Sequence, residues 1–175
     1  MSNETRVISN LKEQKLIIER EFEGPVDIVW RAWTEPELVK KWWGPQGFHA
    51  PSIKIDFRVG GKYTFCMHGP AGSRMDQDMY TSGVYREIVK HTKISVTEYL
   101  SDQNGDKIEM PGFGGPDGPF ELKYTLSFEN LGKDRSKLSL EYDSPGSIGQ
   151  FEAMLNSGME KGWSQAFVKL AEAIK

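Results

Sequence analysis

The sequence predicts an α+β fold in which a strongly curved antiparallel β-sheet wraps around a long C-terminal α-helix. Three observations predict it: a strand followed by two short helices, six later segments with apolar residues at alternate positions, and a final segment with apolar residues three or four apart. Strands that follow one another through short turns pair as an antiparallel meander. The terminal helix is then the element long enough to cover the apolar face of such a sheet.

The first strand is predicted within residues 15–24, KLIIEREFEG, where apolar and charged residues mostly alternate. The preceding residues 1–14 are polar and are interpreted as a tail, so that a single domain spans residues 15–175. A domain of this length buries roughly 70% of the surface that its unfolded chain exposes. We therefore expect a core that needs no disulfides.

Two short helices are predicted after the first strand. Pro25 suits the first position of a helix, and the residues that follow at core spacing are Val26, Val29, Trp30 and Trp33. Thr34 is a suitable N-cap for a second helix, which includes Trp42 and Trp43 and ends at Gly44. Adjacent helical residues point about 100° apart. We expect one of these two tryptophans to anchor the core and Trp43 to border a cavity entrance.

The remaining strands are predicted between residues 52 and 142, giving six to seven strands in all. Their segments are SIKIDF, KYTFCM, MYTSGVYREIV, TKISVTEYL, FELKYTLSFEN and SKLSLEYD. Turns that contain Gly, Asn or Asp separate most of them. The exception is SDQNGDKIEMPGFGGPDGP at residues 101–119, whose glycines and prolines predict a long loop at the rim of the fold.

The final segment predicts one helix of up to about 27 residues, about 40 Å long. Its apolar residues are Ile148, Phe151, Leu155, Met159, Trp163, Phe167, Leu170 and Ile174. Gly158, Gly162 and Ala166 form a stripe of small residues beside them. Because a helical glycine costs about 1 kcal/mol relative to alanine, this stripe is expected either to let the helix approach a strand closely or to leave space for a ligand.

Composition and charge exclude several classes of partner. The net charge of -3 and the isoelectric point near 5.7 provide no basic excess for nucleic acid or an anionic membrane. The single cysteine, Cys66, has no partner for an intramolecular disulfide, and the first residues lack the apolar run of a signal peptide. We expect a cytoplasmic protein, as a monomer or a homodimer, without a membrane span.

Four sequence blocks carry a resemblance to a known family. They are GPVDIVWRAWTEPELVKKWWGP at 24–45, IDFRVGGKYTF at 55–65, SGVYREIV at 82–89 and GMEKGWSQAFVKL at 158–170. With these blocks in this order, the chain resembles the SRPBCC superfamily of START domains and birch-pollen allergens, and within it the Aha-type family, named for the C-terminal domain of the activator of the heat-shock-protein-90 ATPase. The resemblance spans almost the whole chain and implies the helix-grip fold. Relatives bind small molecules, and some act as polyketide cyclases.

The leading hypothesis is a binding module without catalytic activity, which holds a small hydrophobic or aromatic molecule between the sheet and the terminal helix. Candidate cavity walls are aromatic residues and methionines, namely Trp43, Phe48, Tyr63, Phe65, Met67, Tyr80, Tyr85, Phe113, Met154, Met159 and Trp163. Polar groups that would orient the ligand are Arg20, His68 and Glu98. A cavity above about 300 Å³ would favour a ligand, and a packed interior would favour a protein-interaction role.

Arg20 and Glu98 are charged residues on otherwise apolar strand faces. A buried charge requires a partner, so we expect these two to pair with each other or with a ligand, or to reach water at a strand end. Cys66 and His68 lie two residues apart without the further ligands of a zinc site, and neither a metal nor another cofactor is expected.

Two alternative functions remain open. The first is a cyclase-like or aromatase-like enzyme in which a tyrosine, histidine or glutamate moves protons, although the sequence reveals no convergent pair of such groups. PGFGGPDGP leads into a strand, which is not the context of a phosphate-binding loop. The second is a co-chaperone that acts on heat-shock protein 90, as the family name suggests. In the activator a separate N-terminal domain carries much of that interaction, and here about 14 polar residues precede the first predicted strand.

Overall fold

One antiparallel sheet of eight strands forms the framework of the protein in the computed structural model, which describes residues 3–108 and 121–175. The strands are β1 (Arg6–Asn10), β2 (Lys15–Glu23), β3 (Ile53–Ile55), β4 (Lys62–His68), β5 (Asp78–Val89), β6 (Lys93–Ser101), β7 (Leu122–Gly132) and β8 (Arg135–Tyr142). The helices are α1 (Val26–Thr34), α2 (Pro36–Val39), α3 (Ile148–Asn156) and α4 (Met159–Ala173).

The strand order across the sheet is β1-β2-β8-β7-β6-β5-β4-β3, and every neighbouring pair is antiparallel. The predicted α+β class, with a curved antiparallel sheet and C-terminal helical elements in a helix-grip arrangement, is confirmed. The strand count is higher than the predicted six to seven because β1 lies within residues 1–14, the segment interpreted as a tail. All five residues of β1 are exposed, so this strand lacks the apolar alternation by which the others are recognised.

The core lies on the inner face of the sheet, against α1 and α4. On β7 the residues Tyr124 and Leu126 are buried, and the register places them opposite Tyr142 and Leu140 on β8. Full burial of such a leucine stabilises the fold by about 2 kcal/mol relative to leaving it in water. Alternation of buried and exposed residues on β7 therefore fixes the register, since a shift by one residue would expose the whole set.

The C-terminal region forms two helices and not the single helix of about 27 residues that the sequence predicts. Gly158 stands between α3 and α4 with φ +84°, a left-handed conformation that interrupts the helical hydrogen bonding and that L-residues rarely adopt. Leu155 and Met159 keep their spacing of four across the break. Apolar periodicity therefore does not reveal the interruption.

The stripe of small residues contains the helix break. Gly158 makes this break, and a Cβ placed there would have no neighbour within 4 Å. A Cβ on Gly162 would lie 3.7 Å from Cγ of Pro45, an ordinary van der Waals contact, so the packing of α4 against the turn that follows α2 does not require glycine there. Neither glycine lines the cavity inside the core.

Trp42 and Trp43 follow α2 in a turn, because the helix ends at Val39 and not at Gly44 as predicted. Thr34 belongs to α1, where its hydroxyl donates to the carbonyl of Trp30 at 3.1 Å, and it does not cap α2. Trp42 is completely buried and its indole Nε1 donates to the carbonyl oxygen of Ala32 at 2.8 Å. Trp42 thus anchors the turn to α1. We call residues 42–48 the tryptophan turn.

Lys169 on α4 holds the tryptophan turn from the other side. Its ammonium Nζ donates to four backbone carbonyl oxygens, those of Trp43 (3.4 Å), Gly44 (3.1 Å), Pro45 (3.3 Å) and Phe48 (3.0 Å). Partial burial of this ammonium lowers its pKa. The ring of carbonyls offsets that cost, because hydrogen bonds from a charged donor are stronger than neutral ones.

In the described residues, no helix has the length and apolar content that crossing a bilayer requires.

The Lys169→Met variant is expected to lose about 2 kcal/mol of unfolding free energy, since it removes a charged donor shared by four carbonyls and keeps the aliphatic stem. Urea unfolding followed by circular dichroism measures this loss. Lys161→Met is the matched control, because Lys161 is exposed on the same helix. Equal unfolding free energies for the two variants would contradict a clamping role.

Candidate functional site

Aromatic side chains from four parts of the chain meet between the sheet and α4. Trp163 of α4 is central: its ring centroid lies 5.9 Å from Trp33 of α1, 5.5 Å from Trp43 of the tryptophan turn and 5.9 Å from Tyr124 of β7. We define the aromatic cluster as the buried rings connected in this way, namely Phe22, Trp33, Trp42, Trp43, Tyr63, Phe65, Tyr85, Tyr124, Tyr142, Trp163 and Phe167.

Five predicted wall residues belong to this cluster, namely Trp43, Tyr63, Phe65, Tyr85 and Trp163. Trp43 does not border an entrance as expected, since it is 6% exposed and packs 4.8 Å from the ring of Phe65. Its ring instead packs among Trp33, Trp42 and Trp163, with ring centroids 6.5 Å, 5.6 Å and 5.5 Å away.

The other predicted wall residues lie around the cluster or outside the described residues. Met154 of α3 is buried in the same core, and Met159 at the start of α4 packs against it with partial exposure. Phe48 and Met67 are half-buried beside Gly44, whose Cβ, if present, would lie 3.0 Å and 3.4 Å from their Cβ atoms. Phe113 lies outside the described residues.

Tyr80 and His68 lie on the outer face of the sheet, which does not match a role as cavity residues. Residues directly opposite in an antiparallel pair share a face, and Tyr80 is opposite Cys66. Cys66 and His68 alternate with Phe65, which points into the core. Both candidates are therefore separated from the aromatic cluster by the sheet itself.

His68 is held on this outer face by two carboxylates. Its Nδ1 lies 2.7 Å from Oδ1 of Asp78 and its Nε2 lies 2.9 Å from Oδ1 of Asp76. These hydrogen bonds, first that of Asp78 and then that of Asp76, raise the pKa of His68. In residues 3–108 and 121–175, no group of three or more His, Cys, Asp or Glu residues lies in position to hold a metal ion.

Arg20 and Glu98 lie too far apart to pair with each other, so this one of the three alternatives is wrong. Across the sheet, Arg20 is level with Phe128 of β7, whereas Glu98 is level with Leu122. Six residues separate those two positions on β7, about 20 Å at 3.4 Å per residue. Arg20 instead donates from Nη1 to the hydroxyl of Thr5 at 3.2 Å.

Glu98 lies at the opposite end of the inner face and begins a chain of hydrogen bonds into the aromatic cluster. The hydroxyl of Tyr142 donates to Oε1 of Glu98 at 2.9 Å, and it accepts from indole Nε1 of Trp163 at 3.0 Å. We call these three residues the Glu98 chain. Glu98 retains intermediate exposure to solvent, whereas Tyr142 and Trp163 are buried. The chain thus joins a partly accessible carboxyl group to the centre of the core.

Burial raises the pKa of Glu98 from 4.5 to about 7, with the hydrogen bond from Tyr142 acting in the opposite direction. The carboxyl group is consequently close to half protonated at neutral pH. Carboxyl groups with such perturbed pKa values concentrate at functional sites. Sequence alternation identified Glu98 as an inward charge, but the partnership with Tyr142 spans 44 residues of chain and depends on the pairing of three strands.

Gly83 is a site residue that the sequence analysis missed. A Cβ at this position would lie 1.8 Å from the carbonyl oxygen of Thr97 and 2.7 Å from the hydroxyl of Tyr63, so only glycine fits. The close approach lets the buried Tyr63 hydroxyl donate to the Thr97 carbonyl at 2.6 Å. An isolated glycine inside a predicted strand was the available signal, since it often marks close backbone approach.

Four buried side-chain atoms have no hydrogen-bond partner among the described residues. They are Nε of Arg20, Nε1 of Trp33, Nε1 of Trp43 and Oγ of Ser136. Leaving a buried donor unpaired costs about 1–3 kcal/mol. The two indole groups both belong to the aromatic cluster, so half of these atoms lie on rings that contact Trp163.

The space inside the cluster is small. A cavity of about 10 Å³ is lined by Trp33, Tyr63, Phe65, Tyr85, Ile94, Val96, Tyr124 and Leu126. This volume is about that of a single water site, far below the 300 Å³ of a typical ligand pocket. The interior is therefore packed in this conformation.

A larger space of about 220 Å³ is an open groove beside β1 and β2, lined by Glu4, Arg6, Glu19, Arg20, Glu21 and Lys137. Its charges largely neutralise one another, since Arg6 and Lys137 both form ion pairs with Glu19 at 3.2 Å and 3.1 Å. The groove consequently selects neither an anion nor a cation.

Protein stability is expected to depend on pH through Glu98. Folded Glu98 keeps its proton up to about pH 7, whereas an unfolded glutamate loses it near 4.5, so the folded state binds more protons in this interval. The contribution of Glu98 therefore falls as pH rises from 4.5 to 7, by about 2 kcal/mol after allowance for its partial exposure.

Glu98→Gln lacks this titration. Its unfolding free energy, measured by urea unfolding relative to that of the unsubstituted protein, should therefore rise by that amount between pH 5 and pH 8. Glu141→Gln is the control, because Glu141 is exposed on β8 next to Tyr142. A difference between Glu98→Gln and the unsubstituted protein that stays constant with pH would show that Glu98 titrates normally.

Comparisons with known proteins agree with this architecture. The AHSA1 family, described as Activator of Hsp90 ATPase homolog 1-like protein, matches residues 23–175. A search of curated proteins gave no match.

Several solved structures are similar over nearly their whole length. A protein from Arthrobacter aurescens has a TM-score of 0.80 and 22% identity, over 97% of this chain and 90% of that chain. A protein from Mycobacterium smegmatis has a TM-score of 0.77 and 20% identity, over 96% and 95%. The AHSA1 protein from Silicibacter pomeroyi has a TM-score of 0.66 and 22% identity, over 90% and 95%.

Identities this low establish a common fold and nothing finer. The family match is the stronger finding, because it extends from the end of β2 through the tryptophan turn and the inner strands to α4. The chain therefore belongs to the Activator of Hsp90 ATPase homolog 1-like protein family.

Proposed function

We propose that this protein binds a small aromatic or hydrophobic molecule in its interior, between the inner face of the sheet and α4, and that this interior opens to admit it. The observation that supports the proposal is the unpaired polar chemistry of the aromatic cluster. Indole N–H groups of Trp33 and Trp43 lack partners there, and the carboxyl group of Glu98 is held where burial disfavours its charge. A purely structural core normally satisfies such groups.

Affinity in such a site comes mainly from burial of apolar surface, at about 2.5 kcal/mol for each 100 Å². The rings of the aromatic cluster add edge-to-face and stacked contacts with an aromatic guest. The polar groups that orient the ligand are then those of the Glu98 chain, because His68 lies on the outer face and Arg20 lies about 20 Å away along the sheet.

Opening is proposed to occur at α3. This helix has nine residues, of which Phe151 and Met154 are buried, and glycines with positive φ bound it on both sides, Gly146 (+112°) and Gly158 (+84°). A helix this short is marginally stable without tertiary contacts. Displacing α3 therefore costs less than separating the inner strands of the sheet, and it removes two side chains from the core.

Binding of naphthalene or 2-naphthol should raise the melting temperature. At a ligand concentration of 100 times Kd, the unfolding free energy rises by about 2.7 kcal/mol, which corresponds to about 5–10 °C for a chain of this size. Differential scanning fluorimetry measures the shift, and quenching of the five tryptophans gives Kd. Glycerol at matched concentration is the control for nonspecific stabilisation. Unchanged melting temperature and fluorescence with both compounds would refute interior binding.

A second candidate is a protein-interaction module that acts on heat-shock protein 90. The packed interior, with about 10 Å³ of free space, favours it, as does the family description. If this candidate is correct, addition of the protein in excess should increase the ATP turnover of the chaperone, and the two proteins should elute together in size-exclusion chromatography. If neither effect is observed at concentrations of about 100 μM, a functional complex is excluded.

The enzyme alternative gains one supporting feature, the hydrogen-bonded pair of Glu98 and Tyr142. A carboxyl group with a pKa near 7 suits proton transfer at neutral pH. The same closed interior that limits ligand entry also limits substrate entry, so binding remains the leading proposal. We further propose that the protein functions in the cytoplasm, in keeping with the free thiol of Cys66.

A further inference from the structure

The polar groups around Trp163 differ in whether their hydrogen bonds are already made. The hydroxyl of Tyr142 is fully used, since it accepts from Trp163 and donates to Oε1 of Glu98. Oε2 of Glu98 makes no hydrogen bond with the described residues, and Nε1 of Trp33 and of Trp43 are likewise unpaired in that part of the chain. The interior thus offers two buried N–H donors, and Glu98 adds a carboxyl oxygen that is not fully buried.

These groups are connected through Trp163. The rings of Trp33 and Trp43 lie 5.9 Å and 5.5 Å from that of Trp163. From the N–H of Trp163, two hydrogen bonds of 3.0 Å and 2.9 Å lead through Tyr142 to Glu98. Trp163 therefore contacts both unpaired indoles and is linked to Glu98 by hydrogen bonds.

Building on the proposed ligand-binding function, we propose that Glu98 selects aromatic ligands that carry a hydroxyl group. The hydroxyl donates to the Glu98 carboxylate, while a second oxygen on the ligand accepts from the indole N–H of Trp33 or Trp43. A site that hydrogen-bonds a hydroxyl rejects analogues that lack it, because its own polar groups then stay buried and unpaired.

Other ligand chemistries match this arrangement less well. A hydrocarbon leaves the carboxylate and both indole donors unpaired. An ammonium group pairs with the carboxylate but supplies no acceptor to the indoles, and a ketone supplies an acceptor but no donor. A dihydroxylated aromatic ring system provides both, with a planar surface for the stacked pair of Trp33 and Trp163, whose planes differ by 26°.

An ionised carboxylate accepts a hydrogen bond from the ligand hydroxyl more strongly than a neutral carboxyl group does, so recognition should strengthen as pH rises and Glu98 ionises. The titratable groups facing it are Tyr63 of β4, Tyr124 of β7 and Tyr142 of β8, and burial raises the pKa of all three well above 10. These tyrosines stay neutral between pH 5 and pH 8. Any change of ligand preference in this interval therefore reports on Glu98.

The test compares naphthalene, 2,6-dihydroxynaphthalene and 2,6-dimethoxynaphthalene, with Kd measured by tryptophan quenching at pH 5 and pH 8. The dimethoxy compound keeps both oxygens as acceptors and lacks the donors. At pH 8 the dihydroxy compound is expected to bind at least tenfold more tightly than the other two. At pH 5 this preference should shrink several-fold.

Two variants and a control complete the experiment. Glu98→Gln should reduce the preference for the hydroxyl compound to a few-fold and make it independent of pH. Glu141→Gln should behave like the unsubstituted protein. If Glu98→Gln does not fold, Tyr142→Phe replaces it: the carboxyl group loses the bond that orients it, so the preference should fall several-fold.

The outcomes separate this proposal from the one on which it rests. Equal binding of all three compounds, or a preference that survives in Glu98→Gln, overturns the role of Glu98 and leaves interior binding intact. Binding of none of the compounds overturns both proposals. A preference lost in Glu98→Gln and retained in Glu141→Gln supports the assignment.

Discussion

The packing of Trp163 is the constraint on which the rest of the interior depends. A buried tryptophan contributes about 200 Å² of contact surface, and this one touches α1, the tryptophan turn and β7 at the same time. Its N–H also positions the hydroxyl of Tyr142. One side chain therefore sets the distance between α4 and the sheet, the depth of Trp43 and the direction in which the Glu98 chain runs.

Polar groups of the interior fall into two classes with different consequences. Those that fix the architecture are paired with backbone carbonyls, as are Lys169, Trp42 and Tyr63, and their removal should affect stability. Near Trp163, the indole N–H groups of Trp33 and Trp43 are unpaired, and burial raises the pKa of Glu98 to about 7, so these groups cost stability. Natural proteins retain such costs mainly where function requires them, which is why the ligand hypothesis is centred here and not on the more exposed His68.

Sequence reasoning succeeded where a local pattern determines structure. Alternation located the strands from β2 to β8 and the inward position of Glu98, because side chains of a strand alternate between faces regardless of context. It failed for β1, whose exposed residues carry no such pattern, and for the break at Gly158, because the apolar spacing continues through it. The same alternation places His68 with Cys66 and away from Phe65, so it argues against His68 as a cavity residue. The depth of Trp43, the partner of Glu98 and the closed interior depend on contacts between distant segments, which no local pattern specifies.

The division of the C-terminal region at Gly158 has a consequence for how tightly any guest can be held. If the C-terminal region were one continuous helix, a ligand could enter only when the whole helix unfolded. The break at Gly158 separates α3, the proposed cover of the site, from α4, which carries Trp163 and Lys169. If lifting this cover costs about 3 kcal/mol, roughly one molecule in 150 is receptive at any moment, and the apparent affinity is weaker than the intrinsic one by the same factor. Substitutions in α3 that change no contact with the ligand would then alter the apparent affinity only by changing the fraction of molecules in which α3 is displaced.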